Sequence, residues 1–100
     1  MIELKIYVEP FAGKEAELEK TFRDVFLPAI SIQEGFVRVA LLKARDAFRE
    51  YQISLVFESE ELRLKWVASS KHQEAFPKIA ALCGRISWSG FDVIEQKEIG

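Results

Sequence analysis

The spacing of the apolar residues, and the points where that spacing changes, constrain this chain more than any motif in it. Ile2, Leu4, Ile6 and Val8 alternate with Glu3, Lys5, Tyr7 and Glu9, the period-two pattern of a strand with one buried face. Pro10 closes the run. From about Gly13 the interval becomes three or four: Leu18, Phe22, Val25, Phe26 and Ala29 form a helical stripe, with Lys14, Glu15, Glu17, Glu19, Lys20, Arg23 and Asp24 outside it. Pro28 is expected to kink or end this helix, because it has no N–H and disfavours the helical state of Leu27. After Gly35, Phe36–Lys43 reads as a strand with apolar residues on both sides, joined through Arg45–Arg49 to a third strand in which Tyr51, Ile53, Leu55 and Phe57 alternate cleanly. A second helical stretch begins at Ser59; Pro77 is expected to interrupt it and Gly84 to stop it. Ile86–Glu95 reads as the last strand, with a shift of apolar phase at Gly90 that suggests a bulge, and Gln96–Gly100 as a polar tail.

Strand, helix, strand, strand, helix, strand is the order of the split βαβ, or ferredoxin-like, unit, an α+β fold with a four-stranded antiparallel sheet. The 100 residues suit one such domain, 1–100. Its helices cover one sheet face, so the other must be accounted for. The second strand offers Val37, Val39 and Leu41 to one side and Phe36, Ala40 and Leu42 to the other, and the third adds Val56 opposite its main apolar row. A bare face of that character exceeds what monomers usually expose, so a homodimer through the open sheet face is expected. The net charge of −2 provides no basic footprint for nucleic acid. No apolar run approaches the length that spans a bilayer, Met1–Pro10 alternates where a signal peptide would be continuously apolar, and the lone Cys83 cannot form an internal disulfide. A cytoplasmic protein with no membrane partner is the expectation.

Chemistry is best sought between Phe57 and Cys83, which holds the only histidine and the only cysteine. Ser59 can cap a helix whose first turn carries Glu60 and Glu61. Leu62 and Trp66, four apart, share a face. On an unbroken helix His72 would point about 120° away from Trp66. Ser69 and Ser70 offer a break, and Ser70 with Gln73 reads as a second capping box that places His72 in the first turn of a new helix.

The order acidic turn, Trp66, Ser69 or Ser70, His72, Gln73, together with the Glu34-Gly35-Phe36 start of a strand, resembles the antibiotic biosynthesis monooxygenase-like family. That resemblance implies small dimeric proteins of ferredoxin-like fold, their sheets forming a dimeric α+β barrel. It also implies a cofactor-free monooxygenase acting on a phenol, hydroquinone or polycyclic aromatic. Such a reaction needs an apolar slot, a base for a hydroxyl proton and a donor for the resulting oxyanion. The residues offer Trp66, Phe22 and Phe26 as walls, His72 as base, and Tyr51 or Arg38 as oxyanion partner; alternation alone does not decide which sheet face meets the helices. Trp66 and His72 are thus the catalytic candidates, and Phe22, Phe26, Arg38 and Tyr51 the substrate-binding ones. Placed at a helix N-terminus beside Lys71, His72 is expected to titrate below the usual value of about 6.5.

Other chemistries find less support. The glycines form no phosphate-binding turn, one His and one Cys are no zinc set, and Ser69 or Ser70 beside His72 lacks a nucleophile elbow. Haem degradation is disfavoured: relatives that perform it use an Asn on the first strand, a Trp and a His, and this chain contains no Asn. No metal or cofactor is expected. Plainer roles exist too: Trp66 as packing, His72 as a residue completing the helix break, Arg38 as a solvated strand charge. The competing functional class is a non-catalytic dimeric module that binds a small apolar ligand in the same slot, and a third is a structural dimer with a filled pocket.

Overall fold

Each run of alternation becomes a strand of one antiparallel sheet in the computed structural model, which describes residues 1–46 and 49–97. β1 spans Ile2–Pro10, β2 Phe36–Lys43, β3 Tyr51–Phe57 and β4 Cys83–Asp92, in the spatial order β2-β3-β1-β4. The register sets Leu4 beside Leu55, Ile6 beside Ile53 and Val8 beside Tyr51, while Leu41 and Val39 extend the same apolar face across β2. Against that face pack Leu18, Phe22, Phe26, Ile30, Trp66, Ala75 and Ile79, all buried, so the core is a single layer between sheet and helices. The fold is therefore the expected ferredoxin-like α+β architecture. No helix among the described residues is long and apolar enough to cross a membrane. Ala47 and Phe48 of the expected hairpin connection, and Glu98, Ile99 and Gly100 of the tail, lie outside the described residues.

The first helical run does not stop at Pro28. α1 (Glu15–Thr21) passes through a π-helical turn, Phe22–Phe26, into α2 (Leu27–Ser31). A proline ring collides with the carbonyl four residues back and offers it no N–H. Here the Leu27 N–H reaches the Phe22 carbonyl, one residue further than in an α-helix, and the winding is widened just ahead of the proline. Pro77 likewise fails to interrupt α4 (Ser70–Ala80), where the residue four back, Gln73, is exposed. Gly84 is not the helix stop: α4 ends at Ala80 and Gly84 lies within β4, where a Cβ would come 2.9 Å from the Phe11 ring. Gly90 pairs regularly with Leu4, and the β4 irregularity falls instead opposite Glu9 and Pro10.

The open face differs from the bare apolar surface expected of it. A bulge between Phe36 and Arg38 reverses the phase at the start of β2, so Phe36 joins Phe57 on the helix side, 6.1 Å from it ring to ring. The open face then carries Glu3, Lys5, Tyr7, Glu9, Arg38, Gln52, Ser54, Arg85 and Ser87 among its apolar residues Ala40, Leu42, Val56 and Phe91. Near one end of that face Glu3 accepts from Ser54 Oγ at 2.9 Å and pairs with Arg38 at 3.5 Å and Lys5 at 3.8 Å.

Candidate functional site

α3 (Glu60–Ala68) begins at Ser59, whose Oγ accepts the Leu62 N–H at 3.2 Å, with Glu60 and Glu61 in the first turn. The helix breaks at Ser69 rather than Ser70: Ser69 is extended, with φ −72° and ψ 154°, and caps α4. Its hydroxyl donates to the Trp66 carbonyl at 2.7 Å and accepts the His72 N–H at 3.2 Å. One side chain thus ties together the residues on either side of the break. The Gln73 side chain, expected to close a capping box, donates instead to the Val67 carbonyl at 3.0 Å.

This turn brings the two rings together. His72 meets Trp66 edge to face with centroids 4.9 Å apart and stacks on Phe76 at 5.4 Å, four residues on along α4. Behind Trp66, Phe26 makes a second edge contact at 5.8 Å and Phe22 stacks on Phe26 at 5.6 Å. In front of His72 lies a hollow of about 220 Å³, walled by Leu4 and Ile6 of β1, Trp88 of β4, Arg63 and Val67 of α3, and His72 and Phe76 of α4. Its lining is apolar apart from His72 and Arg63.

The expected site residues divide accordingly. His72 lines the hollow; Trp66, only 2% exposed, stands behind it, and Phe22 and Phe26 stand behind Trp66, so these three rings do not reach a ligand placed there. Arg38 lies on the opposite sheet face, paired with Glu3. Tyr51 is on the helix side, but its hydroxyl donates to Glu19 at 2.6 Å; burial and then that carboxylate push its pKa up to about 12. Arg63 and Trp88 were not among the expected residues. Trp88 is in phase with Ile86 on β4, a spacing that carried a signal, whereas Arg63, one turn before Trp66 on α3, reads from spacing alone as a solvated helix charge.

Burial lowers the His72 pKa. The direction is the one expected at the helix N-terminus, but the cause is desolvation. Nδ1 is buried with no hydrogen-bond partner among the described residues, which adds to the cost of a charged ring. Near neutral pH the hollow therefore presents an uncharged imidazole. Arg63 is held by Glu60, Nε donating to Oε2 at 2.9 Å and Nη2 to Oε1, and its guanidinium carbon lies 6.0 Å from the centre of the Trp88 ring. The described residues contain no cluster of His, Cys, Asp and Glu that could hold a metal ion. Cys83 is buried, and burial pushes its thiol pKa up.

A larger hollow of about 310 Å³ lies at the other end of the sheet, bordered by Tyr7, Val8, Glu9, Glu50, Tyr51, Arg85 and Ser87. Its three charged side chains make it the poorer receptacle for a flat apolar ligand, and we place the candidate site at His72.

A small α+β scaffold with a helix-covered apolar hollow defines the class. The chain belongs to the antibiotic biosynthesis monooxygenase family, whose pattern it matches over residues 1–78. An asparagine-to-alanine variant of SnoaB, a cofactor-independent oxygenase from Streptomyces nogalater, is similar in structure, with a TM-score of 0.84 at 20% identity over 95% of this chain and 94% of that one. A protein from Deinococcus radiodurans, provisionally described as an antibiotic biosynthesis monooxygenase, gives 0.84 at 12% identity over 100% and 99%. A conserved protein from Methanosarcina mazei gives 0.81 at 11% identity over 90% and 89%. Identities this low establish a shared fold. A search of curated proteins finds no match.

Proposed function

We propose that this chain is a cofactor-free monooxygenase acting on a phenol or hydroquinone bound in the hollow before His72. The observation that carries the reading is the half-buried imidazole of His72, whose pKa burial lowers, on the wall of a hollow of about 220 Å³ that is apolar but for it and Arg63. Such a group accepts a hydroxyl proton near pH 7. The phenolate then attacks oxygen through a ring carbon that bears hydrogen, para in a simple phenol and ortho in a hydroquinone: a carbon–oxygen bond forms, the O–O bond breaks, and the distal oxygen leaves as water with the proton held by His72 and the proton lost from that carbon, so that a hydroquinone gives a hydroxyquinone. Phenol and O₂ become quinone and water, the substrate supplying every electron. Trp66 acts as a positioning residue, holding the imidazole by its edge contact.

The competing reading, a non-catalytic binding module, needs only one polar group in the slot, whereas catalysis calls for at least two. His72 and Arg63 supply two, which favours the enzyme. The active unit is proposed to be a cytoplasmic homodimer joined through the open sheet faces, where Leu42 and Phe91 are exposed beside Lys5, Glu9 and Arg85. A monomeric mass by light scattering at micromolar concentration would remove the dimer.

The test of function is oxygen uptake with a panel of hydroquinones and anthrone-like phenols. Wild type should consume oxygen, His72→Ala should be slower by roughly 10²- to 10⁴-fold, and Trp66→Phe should lose less. Uptake that survives both substitutions would remove these residues from the reaction. Ligand binding without uptake would leave the binding module.

A further inference from the structure

Among the described residues Arg63 is the one permanently charged side chain on the wall of the hollow, and the hydroxyl proton passes to His72 rather than to it. Its side chain is 10% exposed, whereas its partner Glu60 is 48% exposed, so the pair has a dry cationic end and a wet anionic end. A guanidinium offers five donors in a fixed fork. Glu60 takes Nε and Nη2; Nη1 has no partner among the described residues. The flat face of Trp88 lies beside the same guanidinium, and Trp88, 62% exposed on an edge strand, forms the outer wall. No carboxylate among the described residues lines the hollow to oppose a second anion, and Leu4, Ile6, Val67 and Phe76 complete a surface that favours rings.

We propose that Arg63 is a specificity-determining residue, and that the hollow favours the aryloxide form of a one- or two-ring hydroxyarene or hydroxyquinone, whether the ligand arrives ionised or loses its proton to His72 during the reaction, with its anionic oxygen held by Nη1 and its ring between Trp88 and Phe76. This rests on the assignment of the hollow as the ligand site. An anion entering an apolar cavity must exchange its hydration for a paired partner, and only Arg63 provides one. Glu60 is the more exposed partner, 48% against 10%, so a bound anion can share the guanidinium with it from the dry side. An engineered apolar cavity of about 150 Å³ holds benzene. At about 220 Å³ this hollow has room for a second fused ring.

Anaerobic calorimetry with two bicyclic probes tests this without turnover: 2-hydroxy-1,4-naphthoquinone, an anion at neutral pH, and 1-naphthol, which is neutral. Arg63→Met, which keeps the stem and removes the charge, should bind the anionic probe about tenfold to a hundredfold more weakly than wild type and 1-naphthol about equally. Glu60→Gln, which removes the competing carboxylate, should tighten the anionic probe several-fold, and it decides the question if Arg63→Met does not fold. Equal losses for both probes in Arg63→Met, or unchanged or weaker anion binding in Glu60→Gln, would overturn the assignment. Wild type that binds neither probe would sink the hollow as a ligand site, and this inference with it. Intact charge selectivity with no oxygen uptake on any phenol would remove the oxygenase reading alone.

Discussion

Replacing Ser69 with alanine tests how the site is built. The hydroxyl accepts the His72 N–H at 3.2 Å and donates to the Trp66 carbonyl at 2.7 Å, across a break where both helices depend on it. Loss of an N-cap serine costs about 1 kcal/mol, within a range of roughly 0.5–2. The Trp66 carbonyl keeps the Ser69 backbone N–H at 3.0 Å, so it is not orphaned. The His72 N–H loses its capping oxygen in a half-buried position, which places the expected cost in the upper half of that range, about 1–2 kcal/mol. For a domain of this size that is a fall in Tm of roughly 5–15 °C. Urea unfolding at one fixed protein concentration, which holds any contribution from assembly constant between variants, measures it as a lower midpoint with an unchanged slope. Ser70→Ala is the control: Ser70 is exposed, no side-chain cap bond depends on it, and its loss should stay within about 0.5 kcal/mol. Ser69→Asp restores an acceptor and should recover most of the loss. Should Ser70→Ala be the damaging change and Ser69→Ala the silent one, the helix break lies one residue later and the account of how Trp66 meets His72 is wrong.

Other outcomes follow from the same geometry. The single His72 resonance should titrate below about 6.5 by NMR, with oxygen uptake falling as pH drops through that lower value; a titration above about 6.5 would remove the neutral base. Because its folded pKa is depressed, the stability His72 contributes is complete above about 6.5 and is lost as pH falls through the folded value, which acid-side urea midpoints of wild type and His72→Phe would compare. Tyr51 has the opposite sign: with its pKa raised to about 12, its contribution is complete below about pH 10 and is lost between there and about 12, a loss that Tyr51→Phe should abolish in alkaline melts. Gly35→Ala should cost about 2–4 kcal/mol by thermal melt, because φ is +80° and an added Cβ would sit 2.9 Å from the Leu62 Cβ, which α3 cannot move aside; a loss under about 1 kcal/mol would mean that turn is not held as described.

What could be read from the sequence was what depends on near neighbours. Alternation placed β1, β2 and β3, and Ser59 before Glu60 and Glu61 placed the start of α3, because pleat and cap are settled within a few residues. Pro28 does not end its helix, because near neighbours are not the whole energy. Phe22, Phe26 and Ile30 are buried against the sheet, and keeping them there outweighs the strain of a π turn that carries the helix past the proline. The sheet face of Arg38 was hidden because register decides it, and a single extra residue at the start of β2 changes the phase.

The site shows the same division more sharply. The meeting of Trp66 and His72 was legible because a break in a helix is written locally, in adjacent serines. Arg63 was not, because an arginine on a helix reads as solvated unless the far wall is known, and that wall is Trp88, brought beside α3 only by the pairing of β4 with β1. The half of the site proposed to handle the proton is encoded within one turn of chain, and the half proposed to hold charge is assembled across the sheet. The two halves should therefore fail separately: changes at Ser69 should disturb the imidazole while leaving anion selectivity intact, and changes at Arg63 should do the reverse.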